Sequence, residues 1–202
     1  MKPIRYALVG LFALVVILWS FADTFFVSPL TWFSFRVPFV RLSGIIAIAA
    51  MSAAMLLAAR PAWLAARLNG LDKGYRLHKW LGIAALVAAI AHWWMAKGTK
   101  WMVGWGWLER GAKGPKPEMF GLEAWFNGQR HLAETIGEWA FYAAALFMIL
   151  ALLKKHFSYR WFQKTHWLLA LGYIALAWHS FILVPYAYWA QPIGWLVALL
   201  LL

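Results

Sequence analysis

Apolar residues in this chain gather in long runs, with charged residues collected between them. A helical run of about 20 apolar residues matches the thickness of a bilayer core. The pattern predicts five spans: about Tyr6 to Ala22, Pro38 to Ala59, Arg76 to Ala96, Leu132 to Leu153, and Trp161 to Val184, the last stopping at Pro185. A sixth apolar stretch, Gln191 to Leu202, is too short to span and predicts a helix of which this chain holds only part. Outer-membrane barrel strands would show alternating segments of about ten residues instead. There is no repeat of fixed period and no low-complexity linker, so residues 1–202 read as one domain. Lys2 and Arg5, followed by an apolar run and Ser20-Phe21-Ala22, have the look of a secretory signal. The segment is read here as a retained first helix.

Composition agrees with the runs. Hydrophobic residues make up 64% of the chain and charged residues 13%, against about 25% charged in soluble domains. With no cysteine, disulfides, thiol chemistry and thiolate-held clusters are excluded. The formal charge of +12 points to Lys and Arg flanking spans rather than to nucleic acid, for which no motif is present. Basic residues cluster at Lys2 and Arg5, in the 60–79 connector, and in the 154–164 loop (Lys154, Lys155, Arg160, Lys164). All three fall on one side, which the positive-inside rule makes the cytoplasm. The 97–131 connector also carries basic residues, but Glu109, Glu118 and Glu123 dilute them, and a loop of that length weakens the rule. The reading is an integral protein of a membrane, of the bacterial inner-membrane kind, in contact with lipid and with its N-terminus inside.

Six histidines carry the candidate chemistry. His78 and His92 lie on the third span; His166 and His179 lie on the fifth. Both spans run from inside to outside, so His78 matches His166 in depth and His92 matches His179. Each pair of levels is separated by roughly 20 Å of helix. Ionisable groups inside a membrane are costly and usually functional. Facing imidazoles from two helices are a means of holding haem iron, so two levels predict two stacked, six-coordinate haems. The angular fit is uneven. Fourteen residues return to within about 40° of one face, while thirteen miss by about 140°. On the fifth span a tilt, an irregularity or the rotamers must absorb the difference. Two other readings stand beside this one: four histidines bonded between helices without a cofactor, and zinc, for which two ligands per level are too few. His131 and His156 lie in or near connectors and read as solvated.

Arg41 is a charge one turn inside the second span and needs a partner. An outer haem propionate, an anionic acceptor, or snorkelling to the interface would each supply one. Arg76, Lys79 and Lys164 flank the inner pair and suit either inner propionates or simple anchoring.

The stretches RLHKWLG (Arg76 to Gly82) and AHWW (Ala91 to Trp94), with FQKTHWLLALGYIALAWHSF (Phe162 to Phe181), resemble the ferric reductase-like transmembrane family, which includes ferric-chelate reductases and NADPH oxidases. The resemblance implies an all-α, six-helix transmembrane bundle with two stacked b-type haems. It places the inner haem on His78 and His166 and the outer haem on His92 and His179. It also implies electrons arriving from FAD and NAD(P)H on a cytoplasmic dehydrogenase domain or subunit, and leaving to a small extracytoplasmic acceptor, a ferric chelate or dioxygen. Such a domain normally follows the sixth helix, and its absence fits a chain stopping at Leu202. Arg41 looks like the arginine that the oxidases set beside the outer haem. Ala96 departs from them, because they carry another histidine there, and this counts against superoxide production. The haem-bearing membrane subunit of bacterial methionine sulfoxide reductase, which serves a separate periplasmic reductase, shares the fifth-span pair; His78 argues against that branch. A channel or transporter would need a polar mid-membrane path that these spans lack.

Overall fold

The computed structural model describes residues 2–67, 70–109, 118–153 and 159–202. Among them the secondary structure is helical: α1 (Lys2–Trp19), α2 (Trp32–Ala59), α3 (Ala62–Arg67), α4 (Leu71–Trp93), α5 (Thr99–Gly104), α6 (Gly121–Leu152), α7 (Tyr159–Leu183) and α8 (Pro192–Leu201). A π-helical turn, Trp94–Gly98, joins α4 to α5, and a 3-10 turn, Tyr186–Ala190, leads into α8. Among the described residues, four helical segments are long and apolar enough to cross a membrane: Trp32–Ala59, Asp72–Gly104, Gly121–Leu152 and Arg160–Leu183. The first and last helices are shorter, and α8 has 10 residues, roughly 15 Å of rise and half a bilayer core.

Three helix limits depart most from the sequence expectation. The second helix begins at Trp32, not Pro38. Thr31 and Ser34 form a reciprocal cap there, Ser34 N–H donating to Thr31 Oγ1 at 3.1 Å and Thr31 N–H to Ser34 Oγ at 2.8 Å. This start places Pro38 inside the helix. The third expected span, α4, does not stop at Ala96 but continues through the π turn to Gly104. The fourth begins at Gly121 rather than Leu132, and its polar early turns are mostly exposed. Its 32 residues rise about 48 Å, more than a core of about 30 Å needs, so polar turns project beyond the apolar layer. The expected 97–131 connector is correspondingly shorter.

Two antiparallel helix pairs form the scaffold. The α2 helix packs closely along α4, and α6 along α7, while the pairs touch one another sparsely. Small residues on α2, among them Gly44, Ala47, Ala50 and Ala54, allow its close approach to α4. One buried cluster joins α1, α2 and α8 through Val15, Trp19, Ile45, Ala49, Ile193 and Val197. A second joins α1, α2 and α4 through Ile4, Ala50, Ala54, Leu77, Leu81 and Ala85. A polar tie crosses between the pairs: Ser52 of α2 and Tyr173 of α7 share a hydrogen bond of 3.0 Å, and Tyr173 Oη also lies 3.0 Å from the Leu200 carbonyl of α8. In an apolar layer such a bond has no water to compete with it.

Candidate haem-ligand site

The seam between the two helix pairs holds the histidines. His78 and His92 face it from α4, His166 and His179 from α7. The ring centres of His78 and His166 stand 5.8 Å apart at 63° between planes. Those of His92 and His179 stand 6.4 Å apart at 86°. The depth matching read from the sequence therefore holds, and α4 and α7 run in the same direction.

Three of the four rings are oriented by backbone. His78 Nδ1 lies 2.9 Å from the Ala54 carbonyl, His92 Nδ1 2.8 Å from that of Val40, and His179 Nδ1 2.8 Å from that of Ala133. A carbonyl can only accept, so each Nδ1 carries the proton and donates it. The Nε2 lone pair of a neutral ring is then left for a metal. His166 differs: its Nδ1 is buried without a hydrogen-bond partner, and its ring stacks on Phe162, one turn back on α7, at 5.1 Å between centres.

Glycines make room for the rings of the second level. A Cβ on Gly44 of α2 would stand 3.0 Å from His92 Cε1 and 3.1 Å from its Nδ1. A Cβ on Gly137 of α6 would overlap the His179 ring outright. The close seating of His179 against α6 also answers the angular problem on α7. That helix is uninterrupted from Tyr159 to Leu183, so no backbone irregularity rotates one histidine into line with the other. The two rings leave α7 on different sides, His179 over Gly137 and His166 along Phe162, and side-chain direction makes up the offset.

These observations test whether the residues suit haem. Two imidazoles on opposite sides of one iron, each bonded at about 2 Å, have ring centres about 6 Å apart. Both pairs show that spacing, and the tautomers are set for ligation at three rings. Among the described residues no group of three or more His, Cys, Asp or Glu could hold a bare metal ion. The donor set is two imidazoles per level, which fits a haem iron whose other ligands come from the porphyrin.

A match to the family model described as ferric reductase like transmembrane component covers residues 43–177. The chain belongs to this ferric reductase-like family. The matched region is about two thirds of the chain and contains His78, His92 and His166, while His179 and Arg41 lie just beyond its limits. No curated protein and no solved structure matches the chain. Membership makes this an integral membrane protein of the transmembrane oxidoreductase class, one that moves electrons across the bilayer.

The remaining expected site residues of this ferric reductase-like chain are placed as follows. Arg41 pairs with Asp23 of the loop after α1, Nη1 to Oδ2 at 2.9 Å. Tyr188 donates its hydroxyl proton to the same Asp23 oxygen at 2.5 Å. The Arg41 guanidinium also lies over the Tyr188 ring, 5.9 Å from its centre. Asp23 was not among the partners expected for Arg41. Burial raises the Asp23 pKa, but hydrogen bonds from Tyr188, Arg41 and the Thr24 N–H, with the arginine charge, outweigh it and hold the carboxyl below 3.8. Arg76, Lys79 and Lys164 are exposed, and Lys164 lies over the Trp161 ring at 5.9 Å. His131 is exposed, and His156 lies outside the described residues.

Sequence reasoning missed several groups at the second level. Arg36 of α2 donates from Nε to the Met95 carbonyl at 2.9 Å and from Nη2 to that of Ala96 at 3.0 Å. It thus serves carbonyls of the π turn just after His92. Trp32 Nε1 donates to Thr99 Oγ1 at 3.1 Å, tying the first residue of α5, just after that turn, to α2. π turns are frequent at functional sites. The signal for Arg36 in the sequence was a second arginine one turn before Arg41, but it lay ahead of the helix start assigned at Pro38.

Proposed function

We propose that this chain carries electrons across the bilayer from a reduced flavin, supplied by NAD(P)H on a cytoplasmic domain or subunit, to a small extracytoplasmic acceptor, a ferric chelate or dioxygen. His78 with His166, and His92 with His179, would hold two b-type haems. Haem, when bound, supplies an iron centre that takes up and gives up one electron at a time. The six-helix arrangement that would enclose both is α1, α2, α4, α6, α7 and α8, with the N-terminus cytoplasmic. The observation that carries this reading is the pair of imidazole couples, each at haem-ligand spacing and stacked along the same two helices.

The chain's own residues supply position and environment. The carbonyls of Ala54, Val40 and Ala133 hold three imidazoles in the ligating tautomer and raise their basicity. Gly44 and Gly137 let two rings lie flush against neighbouring helices. The apolar helix faces keep the local dielectric low, which, with ligand basicity, tunes the potential of a bound centre. Arg76, Lys79 and Lys164 are basic groups at the end of the bundle nearer His78 and His166, suited to propionates or lipid phosphates. Arg41, held by Asp23, stands beside Val40 and so at the His92 end. The His78–His166 couple favours a two-haem relay over a stand-alone subunit lacking an inner third-span ligand.

Haem content by pyridine haemochrome, with the reduced optical spectrum, tests the reading. Wild type should carry two low-spin haems per chain. His78→Ala and His166→Ala should damage one haem, His92→Ala and His179→Ala the other, and His78→Ala/His166→Ala should be little worse than either single variant. A wild type with one haem or none, or His78 coupled to His92 instead, ends the proposal.

A further inference from the structure

We propose that Glu138 is a positioning residue for the His92/His179 couple, acting through a polar clasp that sets the gap between the two helix pairs. The inference rests on reading that couple as a haem site. Within each pair the helices pack closely, but the pairs touch sparsely across the seam. His92 belongs to one pair and His179 to the other. Their spacing is therefore set by whatever crosses the seam at their level.

Besides the Arg41–Asp23–Tyr188 contacts, four side chains that cross it form one connected network. Lys97, in the π turn after α4, makes an ion pair with Glu138 Oε2 on α6. Tyr142, one turn further along α6, donates its hydroxyl to Glu138 Oε1 at 2.8 Å. Trp93 Nε1 on α4 then donates to Tyr142 Oη at 3.2 Å. The Trp93 ring also stacks on Phe141 of α6, with centres 5.6 Å apart and 23° between planes. Each end of the network adjoins the site by a single peptide bond. Trp93 follows His92, and Glu138 follows Gly137, on which the His179 ring rests.

The environment makes the clasp stiff. The Lys97 and Glu138 side chains are only 30% and 27% exposed, so their attraction is less screened than that of a surface pair. Loss of either partner leaves the other half-buried and uncompensated. A contrasting pair lies two turns nearer the start of α6. Arg130 and Glu134, 3.2 Å apart and 56% and 48% exposed, sit on the same helix and cannot fix one helix pair against the other. The His78/His166 level is spared, because the seam nearer to it is tied by Ser52 and Tyr173.

The test uses the full chain purified with its haem, read by low-temperature electron paramagnetic resonance and potentiometric titration. His92→Ala identifies which low-spin signal belongs to the second level. Glu138→Gln should shift that signal and its midpoint potential, and should weaken retention of that haem about ten-fold, with the other signal unmoved. The reversal Lys97→Glu/Glu138→Lys should restore both readouts, and Glu134→Gln should match wild type. If Glu138→Gln fails to insert, Tyr142→Phe removes one clasp bond with minimal change of volume and should shift the same signal in the same direction. Two haems with an unmoved second-level signal, equal shifts at both levels, or no rescue by reversal would overturn the clasp and leave the site reading standing. A chain that binds no haem would overturn both.

Discussion

Gly137 offers the sharpest structural test of the second histidine level. A Cβ placed there would overlap the His179 ring, while the same atom on Gly44 would come within 3.0 Å of His92, and on Gly128 it would meet nothing within 4 Å. Ordinary contacts between carbon atoms are about 3.5–4.0 Å. In Gly137→Ala the His179 ring must therefore retreat by roughly 1 Å or more. Its 2.8 Å bond to the Ala133 carbonyl cannot survive that movement, and a hydrogen bond of this kind contributes about 0.5–1.5 kcal/mol. The displaced ring also leaves the ligating position proposed for it, and disturbing a ligand's support typically lowers metal affinity about 10–100-fold. Haem counted by pyridine haemochrome should fall toward one per chain in Gly137→Ala, and the missing spectrum should be the one lost in His179→Ala. Gly44→Ala asks only for a few tenths of an ångström and should keep both haems with one spectrum slightly shifted. Gly128→Ala should be indistinguishable from wild type. Two unaltered low-spin haems in Gly137→Ala would refute the seating of His179 on α6 and, with it, the geometry assigned to the second level.

Reporter fusions after Lys73 and Lys155 should behave as cytoplasmic and one after Pro115 as external, as the positive-inside rule expects of short basic loops; the opposite pattern would reverse the proposed direction of electron flow. Arg41→Ala should lower thermal stability by about 1–3 kcal/mol, because it strips a charged partner from the largely buried Asp23, while both haems stay bound; an unchanged melting temperature would count against the ion pair. The Asp23 pKa is depressed on folding, so its contribution is complete above the ordinary value of 3.8 and is lost as pH falls through the folded value. Thermal melts should accordingly show wild type losing its advantage over Asp23→Asn only in that acid window, and a gap that closes near neutral pH would contradict the assignment.

Much of the fold was legible because a bilayer imposes a strong and simple constraint. Apolar runs must be long, and ionisable residues inside them are conspicuous, so the helices and the two histidine couples could be read directly. Helix ends were less legible, since a helix does not stop where its apolar stretch stops. The polar opening turns of α6 and the Thr31–Ser34 cap of α2 extend regular structure past the hydrophobic limits. That error had a consequence: assigning the start of α2 to Pro38 left Arg36 in a loop, when it in fact reaches the π turn. The roles of Gly44 and Gly137 were hidden for a different reason. A glycine's value lies in what another helix places against it, and no local pattern records that. Asp23 with Arg41, and Lys97 with Glu138, are likewise partnerships across 18 and 41 residues of chain.

The two levels are built to different standards, and the difference follows from where their rings find support. At the second level both imidazoles donate to carbonyls of a neighbouring helix, and both rest against a glycine. At the first level only His78 is anchored this way. His166 meets His78 of α4, and its buried Nδ1 has no hydrogen-bond partner. That is the price of the thirteen-residue spacing. One helix cannot turn both histidines toward the same neighbour, so the ring turned toward α6 gains a backbone acceptor, and the other has aromatic packing on Phe162 in its place. An unpaired, buried ring nitrogen is disfavoured relative to a bonded one, and an imidazole without a hydrogen-bonded Nδ1 is the less basic ligand. The angular mismatch visible in the sequence is therefore a physical source of unequal ligand strength between the two ends of the proposed relay.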